Sequence, residues 1–315
     1  MRIVMMGTGP FAVPTFRALV EGPHEVVALF TQPPRGKPGE HSSPTRDAAE
    51  ELGIEIVAEP DVNQSDALAR LESYGADLLV VCDYGQILSS ASLAAARLGG
   101  INLHGSYLPR YRGAAPIQWA LYNGDSTTGV SVIHMTPRLD GGPCLIQLEE
   151  TIAAKDDGLT LEGRLSQRGV AAVNEAIDML AEWNGTDSLG VIQDNREATR
   201  APRLKKTDGK IDWQRTANQI ERQLRAFTPW PGSFTFVPRK KGDPQRLIVE
   251  SASVLDETTE LLPGTVVCAE EDRLHIAAGD GSILAIHTVQ PAGKRAMGVD
   301  EYLRGRPVAA LDMLL

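Results

Sequence analysis

No stretch of this 315-residue chain approaches the roughly 18 consecutive apolar residues that a membrane-spanning helix needs. Cysteine is scarce: Cys82, Cys144 and Cys268 are odd in number, far apart and never spaced as Cys-x-x-Cys. That sets aside a disulfide framework, and reduced thiols in a cytoplasmic compartment are the simplest expectation. The six histidines, His24, His41, His104, His134, His275 and His287, show no metal-ligand spacing, so no metal is expected. Residues 1–7 run straight into a strand-and-turn pattern with no long apolar region before a small-residue cleavage site, so no signal peptide is expected either. Positive charge is short overall. A net charge of −10 argues against a protein uniformly coated by nucleic acid.

What is present belongs to a soluble globular protein. Hydrophobic residues make up 42% and charged residues 23%, and the length suffices for two domains with separate cores. The charge is uneven. Between Arg200 and Arg246 there are twelve Lys/Arg against four acids, a local +8 that leaves −18 for the rest. A basic patch on an acidic protein suits a polyanion-binding face, and a solvated linker of mixed charge would read the same way.

Arg2–Met6 reads as an apolar strand, followed by Gly7-Thr8-Gly9-Pro10, a helix from Val13-Pro14 and a second strand over Glu25–Thr31. That order opens an α/β fold, a Rossmann-like doubly wound parallel sheet. The third glycine of a dinucleotide fingerprint is missing, and the second strand ends in Thr31-Gln32-Pro33-Pro34 rather than in an acid, which speaks against nicotinamide binding. Helices are expected over 44–52, 65–73 and 159–183, and a strand buried on both faces over 77–82. Residues 184–207 lack periodicity and read as an extended linker. An amphipathic helix is expected over 212–227, and then five short β-runs suggest a small oligonucleotide-binding (OB-like) β-barrel.

The most informative stretch begins as a strand at Gly100–His104. Asn102 and His104 lie two residues apart, so their side chains leave one face of the strand. An amide beside an imidazole that titrates near neutral pH suits an oxygen that becomes negative during attack on a carbonyl. Alone, Asn-x-His is more often a satisfied turn beside a half-buried ring. Its continuation, Ser106-Tyr107-Leu108-Pro109-Arg110-Tyr111-Arg112-Gly113-Ala114-Ala115-Pro116-Ile117, resembles the signature of the folate-dependent formyltransferases. Further landmarks resemble the C-terminal domain of the members that formylate methionyl-tRNA: Lys210-Ile211-Asp212-Trp213, Arg225–Pro231, Pro263-Gly264-Thr265 and Gln290–Met297. The resemblance covers nearly the whole chain.

It implies a formyltransferase catalytic domain over 1–185, a linker over 186–207 and an OB-like tRNA-binding domain over 208–315. The implied reaction moves the formyl group of 10-formyltetrahydrofolate to the amino group of methionyl initiator tRNA in the cytoplasm, by a monomer. Asn102 and protonated His104 would stabilise the oxyanion. Asp140, in Leu139-Asp140-Gly141-Gly142, would hold His104 charged and take the amine's proton, although Asp-Gly is also ordinary hairpin chemistry. Ser106, Tyr107, Leu108 and Pro109, with Tyr84, Gly85, Ile87 and Leu88, would bind the folate. Arg35 and Lys37, in a short and weakly basic insertion, and Lys205, Lys206 and Lys210 would meet tRNA phosphates. Ser106 has no base–acid partners in view, so no covalent formyl-enzyme is expected. An amino sugar on a nucleotide is the alternative acceptor. A folate hydrolase and a non-catalytic nucleic-acid binder are the readings from other classes.

Overall fold

The computed structural model describes residues 1–34, 43–239, 242–305 and 308–315. The chain divides into two compact units, one of Met1–Ile117, Thr127–Ile152 and Thr160–Arg203, the other of Gln118–Ser126, Ala153–Leu159 and Leu204–Leu315.

The strands of the first unit are β1 (Arg2–Gly7), β2 (Glu25–Thr31), β3 (Ile56–Ala58), β4 (Leu78–Cys82), β5 (Gly100–His104), β6 (Arg112–Gly113), β7 (Thr127–His134), β8 (Cys144–Thr151) and β9 (Arg200–Ala201). Helices up to Glu182 are α1 (Val13–Glu21), α2 (Pro44–Leu52), α3 (Ser65–Ser73), α4 (Ser90–Ala94), α5 (Pro116–Asn123) and α6 (Gly158–Glu182). Seven strands form one sheet in the order β3-β2-β1-β4-β5-β7-β8. The first five run parallel, and β7 and β8 run antiparallel to their neighbours. For β7 and β8 the direction follows from connection length: a short turn can join two strands only antiparallel, and residues 135–143 are such a turn.

All five residues of β4 are buried, which is why its sequence is continuously apolar rather than alternating. Helix α2 takes Pro44 at its first turn and stops at Gly53, whose φ of +68° ends the helix in a left-handed cap. Gly169 of α6 packs so tightly on Leu103 that an added Cβ would sit 2.4 Å from that side chain. Leu103 alternates with Asn102 and His104, so α6 covers one face of β5 and leaves the opposite face to the two polar residues.

Within the stretch read as an extended linker, the residues up to Arg203 belong to the first unit. Val191 exchanges two backbone hydrogen bonds with Cys144, both 2.8 Å. β9 pairs in parallel with β6, Arg112 beside Arg200 and Gly113 beside Ala201.

The second unit holds α7 (Ala217–Ala226), β10 (Ser233–Val237), β11 (Gln245–Thr258), β12 (Val266–Glu270), β13 (Arg273–Ala277), β14 (Ser282–Pro291), β15 (Met297–Gly298) and α8 (Val299–Gly305). Its sheet is antiparallel in the order β10-β11-β14-β13-β12, with β15 added on β14. Register shifts along β11 let a 14-residue strand bend. The chain end joins the two edges of this sheet: the Phe236 and Leu315 backbones bond to each other, while Leu314 N–H donates to Gly264 and Val266 N–H donates to Asp312. Closure of this kind removes exposed strand edges.

Helix α7 is shorter than the periodicity suggests. Asp212 accepts the Gln214 N–H and forms a local turn, and the helix starts only after Thr216. Thr216 and Gln219 there cap each other reciprocally.

Candidate active site

β5 carries Asn102 and His104 to the C-terminal edge of the parallel sheet, where open α/β sheets bind ligands. The turn after β7 brings Asp140 to the same place. Asp140 Oδ1 lies 3.5 Å from Asn102 Nδ2, and Asp140 Oδ2 lies 3.9 Å from His104 Nδ1. The side chains of His104 and Asp140 are only 6% and 10% exposed, so they meet with little solvent around them. His104 Nε2 is 2.9 Å from the Tyr111 carbonyl oxygen. A carbonyl only accepts, so Nε2 carries a proton, and Nδ1 is the nitrogen that faces the carboxylate and the site.

Two backbone features hold this arrangement. Asp140 has φ +46°, in the left-handed region that few non-glycine residues occupy. Its Oδ2 accepts the Gly113 N–H at 2.8 Å. Gly113 itself has φ +126°, and an added Cβ would stand 2.4 Å from the Ala201 carbonyl oxygen, so β6 can approach β9 only with glycine there. The Arg112 side chain lies alongside; burial and nearby Arg138 lower its pKa, and Asp140 opposes that shift.

The loop after His104 is pinned by polar groups on β7 and β8. Ser131 Oγ donates to the Ser106 carbonyl (2.7 Å) and accepts the Leu108 N–H (3.0 Å), while Gln147 Nε2 donates to the Leu108 carbonyl (2.8 Å). Ser106 is wholly buried, and its hydroxyl donates to the Arg110 carbonyl at 2.7 Å. Leu108 is buried with Ile133 and Cys144, Tyr107 is exposed and Pro109 is half-buried. In the neighbouring stretch, the side chains of Tyr84 and Leu88 lie in the core cluster around Val4, Phe30 and Leu79. Gly85 and Ile87 are exposed, and the Tyr84 carbonyl accepts from Thr8 Oγ1 and Gln32 Nε2. In those two segments Tyr107, Gly85 and Ile87 are exposed, whereas Ser106, Leu108, Tyr84 and Leu88 are buried.

Lys205, Lys206 and Lys210 are exposed, and the Lys210 ammonium lies 5.8 Å from the centre of the Phe236 ring. Arg35 and Lys37 lie outside the described residues. Among the described residues, no group of His, Cys, Asp or Glu could hold a metal ion, and no helix is long and apolar enough to cross a membrane.

Sequence reasoning missed two residues. Asp83, just past β4, has φ +48° and is reached by solvent, yet protein crowds it from most sides. That crowding and nearby Glu162 raise its carboxyl to about 7, against the pull of Arg203. Its position directly after a buried strand is the signal that could have found it. Gln193 lies in a stretch with no periodic pattern, and nothing local marks it.

Comparison with known proteins matches residues 1–177 to the family model described as formyl transferase and residues 203–307 to that of the formyl transferase C-terminal domain. A methionyl-tRNA formyltransferase of Rhodopirellula baltica is 42% identical over 326 residues, covering 100% of this chain and 97% of that protein. One from Desulfotalea psychrophila is 39% identical, covering 100% and 95%. Among solved structures, WlaRD, a sugar 3N-formyl transferase crystallised in the presence of dTDP and 5-N-formyl-THF, superposes with a TM-score of 0.65 at 17% identity, covering 94% of this chain and 99% of that one. HypX from Aquifex aeolicus in complex with tetrahydrofolic acid gives 0.61 at 15%, covering 100% and 50%. These two likenesses concern the fold.

Proposed function

Because the chain belongs to the formyl transferase family, we propose that it transfers the formyl group of 10-formyltetrahydrofolate to the amino group of methionyl initiator tRNA. The product is N-formylmethionyl-tRNA for translation initiation. The observation that carries the acceptor is full-length similarity to proteins of that name, at 42% and 39% identity. What supports the chemistry is the meeting of Asn102, His104 and Asp140 at the sheet edge.

The donor supplies an electrophilic formyl carbon. Exposed Ile87 and Tyr107, the backbone of residues 84–88 and the pinned loop 106–109 suit a flat, bicyclic head group with polar edges. As the amine attacks, negative charge grows on the formyl oxygen. Asn102 Nδ2 and a proton on His104 Nδ1 receive it. Asp140 stands beside both and accepts the proton that the amine must lose, directly or through one water. The intermediate then collapses: the carbonyl re-forms, the bond between the formyl carbon and the folate N10 breaks, and N10 takes up that proton as tetrahydrofolate leaves. No side chain attacks the formyl carbon, since the Ser106 hydroxyl is buried and already donates to the loop backbone.

Lys205, Lys206 and Lys210 contact the tRNA backbone, Arg35 and Lys37 add to that grip, and the enzyme works as a cytoplasmic monomer. A direct test incubates the protein with 10-formyltetrahydrofolate and either methionyl initiator tRNA or a nucleotide-linked amino sugar. Formyl on the methionyl group supports the proposal. Formyl on the sugar alone replaces it with the alternative acceptor.

A further inference from the structure

Gln193 is buried, 8% exposed, and uses its whole hydrogen-bonding capacity. Its Nε2 donates to the carbonyls of Asp140 (2.8 Å) and Gly142 (2.7 Å). Its Oε1 accepts from Arg112 Nε (3.1 Å) and Arg112 Nη2 (2.6 Å). Arg112 Nη1 continues to Asn195 Oδ1 at 3.1 Å. One amide thus ties the turn that bears Asp140 to the side chain of Arg112, the residue next to Gly113, whose N–H donates to Asp140 Oδ2. The same segment reaches His104 by a second route. Thr199 Oγ1 accepts the Tyr111 N–H at 2.8 Å, and the Tyr111 carbonyl accepts from His104 Nε2 at 2.9 Å.

Asp140 needs such support. A left-handed φ at a non-glycine residue is strained and persists only where surrounding structure imposes it. The two donated hydrogen bonds to the carbonyls of Asp140 and Gly142 fix two peptide planes on the C-terminal side of Asp140. Released, the turn relaxes, the carboxylate leaves the Gly113 N–H, and its distance to His104 Nδ1 is no longer set.

We infer that Gln193, clamped by Arg112, is a positioning residue for Asp140: it touches no reacting atom and acts by holding that carboxylate in register with Asn102 and His104. The inference rests on the reading of Asp140 as the proton acceptor.

The test compares the full-length wild type with Gln193→Ala, Gln193→Glu and Asp140→Asn, measuring kcat and KM for methionyl-tRNA at saturating formyl donor, with the folded fraction from circular dichroism. Gln193→Glu keeps the acceptors for Arg112 and removes both donors to the turn. A misplacement of about 1 Å costs roughly 10²-fold in rate. Both Gln193 variants should therefore lose about 10–10²-fold in kcat per folded molecule, with KM for the tRNA changed less than about twofold. Where Gln193→Ala does not fold, Gln193→Met, which keeps the volume, is read instead. Wild-type kcat in Gln193→Glu overturns the inference, as does activity that falls only with the folded fraction. Wild-type turnover by Asp140→Asn instead overturns the role of Asp140 itself, which separates the two failures.

Discussion

Adding one methyl group to Gly142 probes how closely rate depends on the Asp140 turn. The turn folds back onto the end of β7, and a Cβ on Gly142 would stand 1.9 Å from the His134 carbonyl oxygen. Such contacts do not close below about 3 Å, and the clashing atom is backbone, so the turn must move by roughly 1 Å. The Gly113–Asp140 hydrogen bond, now 2.8 Å, then stretches to about 3.8 Å and is lost. The 3.9 Å gap between Asp140 and His104 Nδ1 opens by a similar amount. Overpacking of this kind destabilises by about 1–3 kcal/mol. The rate should fall by about 10²-fold. Gly141 is the control. There the nearest atoms to an added Cβ are Cδ, Cγ and Nε of Arg138, 2.7, 2.8 and 3.2 Å away, on an exposed and flexible side chain. Single-turnover formyl transfer, with thermal melts in parallel, should find Gly142→Ala slow and Gly141→Ala near wild type. Equal rates in the two variants would refute the reasoning.

Two further expectations follow from charge. Asp83 ionises at about 7 when folded, against an ordinary value near 4, so the native state binds a proton that the unfolded chain has released between those pH values. Stability is therefore undiminished below about pH 4, falls as pH rises to about 7 and stays reduced above it. Urea unfolding should find Asp83→Asn more stable than the wild type at pH 8 and equal to it at pH 4; an unchanged pH slope contradicts it. For tRNA, Lys206→Ala should weaken binding and lower the slope of log K against log salt by about 1. An unaltered slope removes Lys206 from the phosphate contacts.

Much of this architecture is written locally. β4 is readable because five consecutive buried residues must all be apolar, and α2 because Pro44 and Gly53 mark its ends. Asn102 and His104 are legible because two-residue alternation puts them on one face of a strand. Long-range relations are not local. The Gln193 bonds to Asp140 and Gly142 span 53 and 51 residues, and an aperiodic stretch gives no sign that it will lie against the turn after β7. Side-chain direction also escaped the sequence. Tyr84 and Leu88 belong to a segment that faces the sheet edge, yet their side chains turn into the core while Ile87 between them is exposed. The start of α7 was misplaced because Asp212 can satisfy a neighbouring N–H itself, which competes with helix formation.

The most direct measurement is the rate of formyl transfer from 10-formyltetrahydrofolate to methionyl initiator tRNA by the wild type, Asn102→Ala and Asp140→Ala, each first shown to be folded. Removing one donor to a developing oxyanion costs about 10²–10³ in kcat, so Asn102→Ala should lose that much and Asp140→Ala more. Near-wild-type transfer by either variant would contradict the assignment of the chemistry to this cluster.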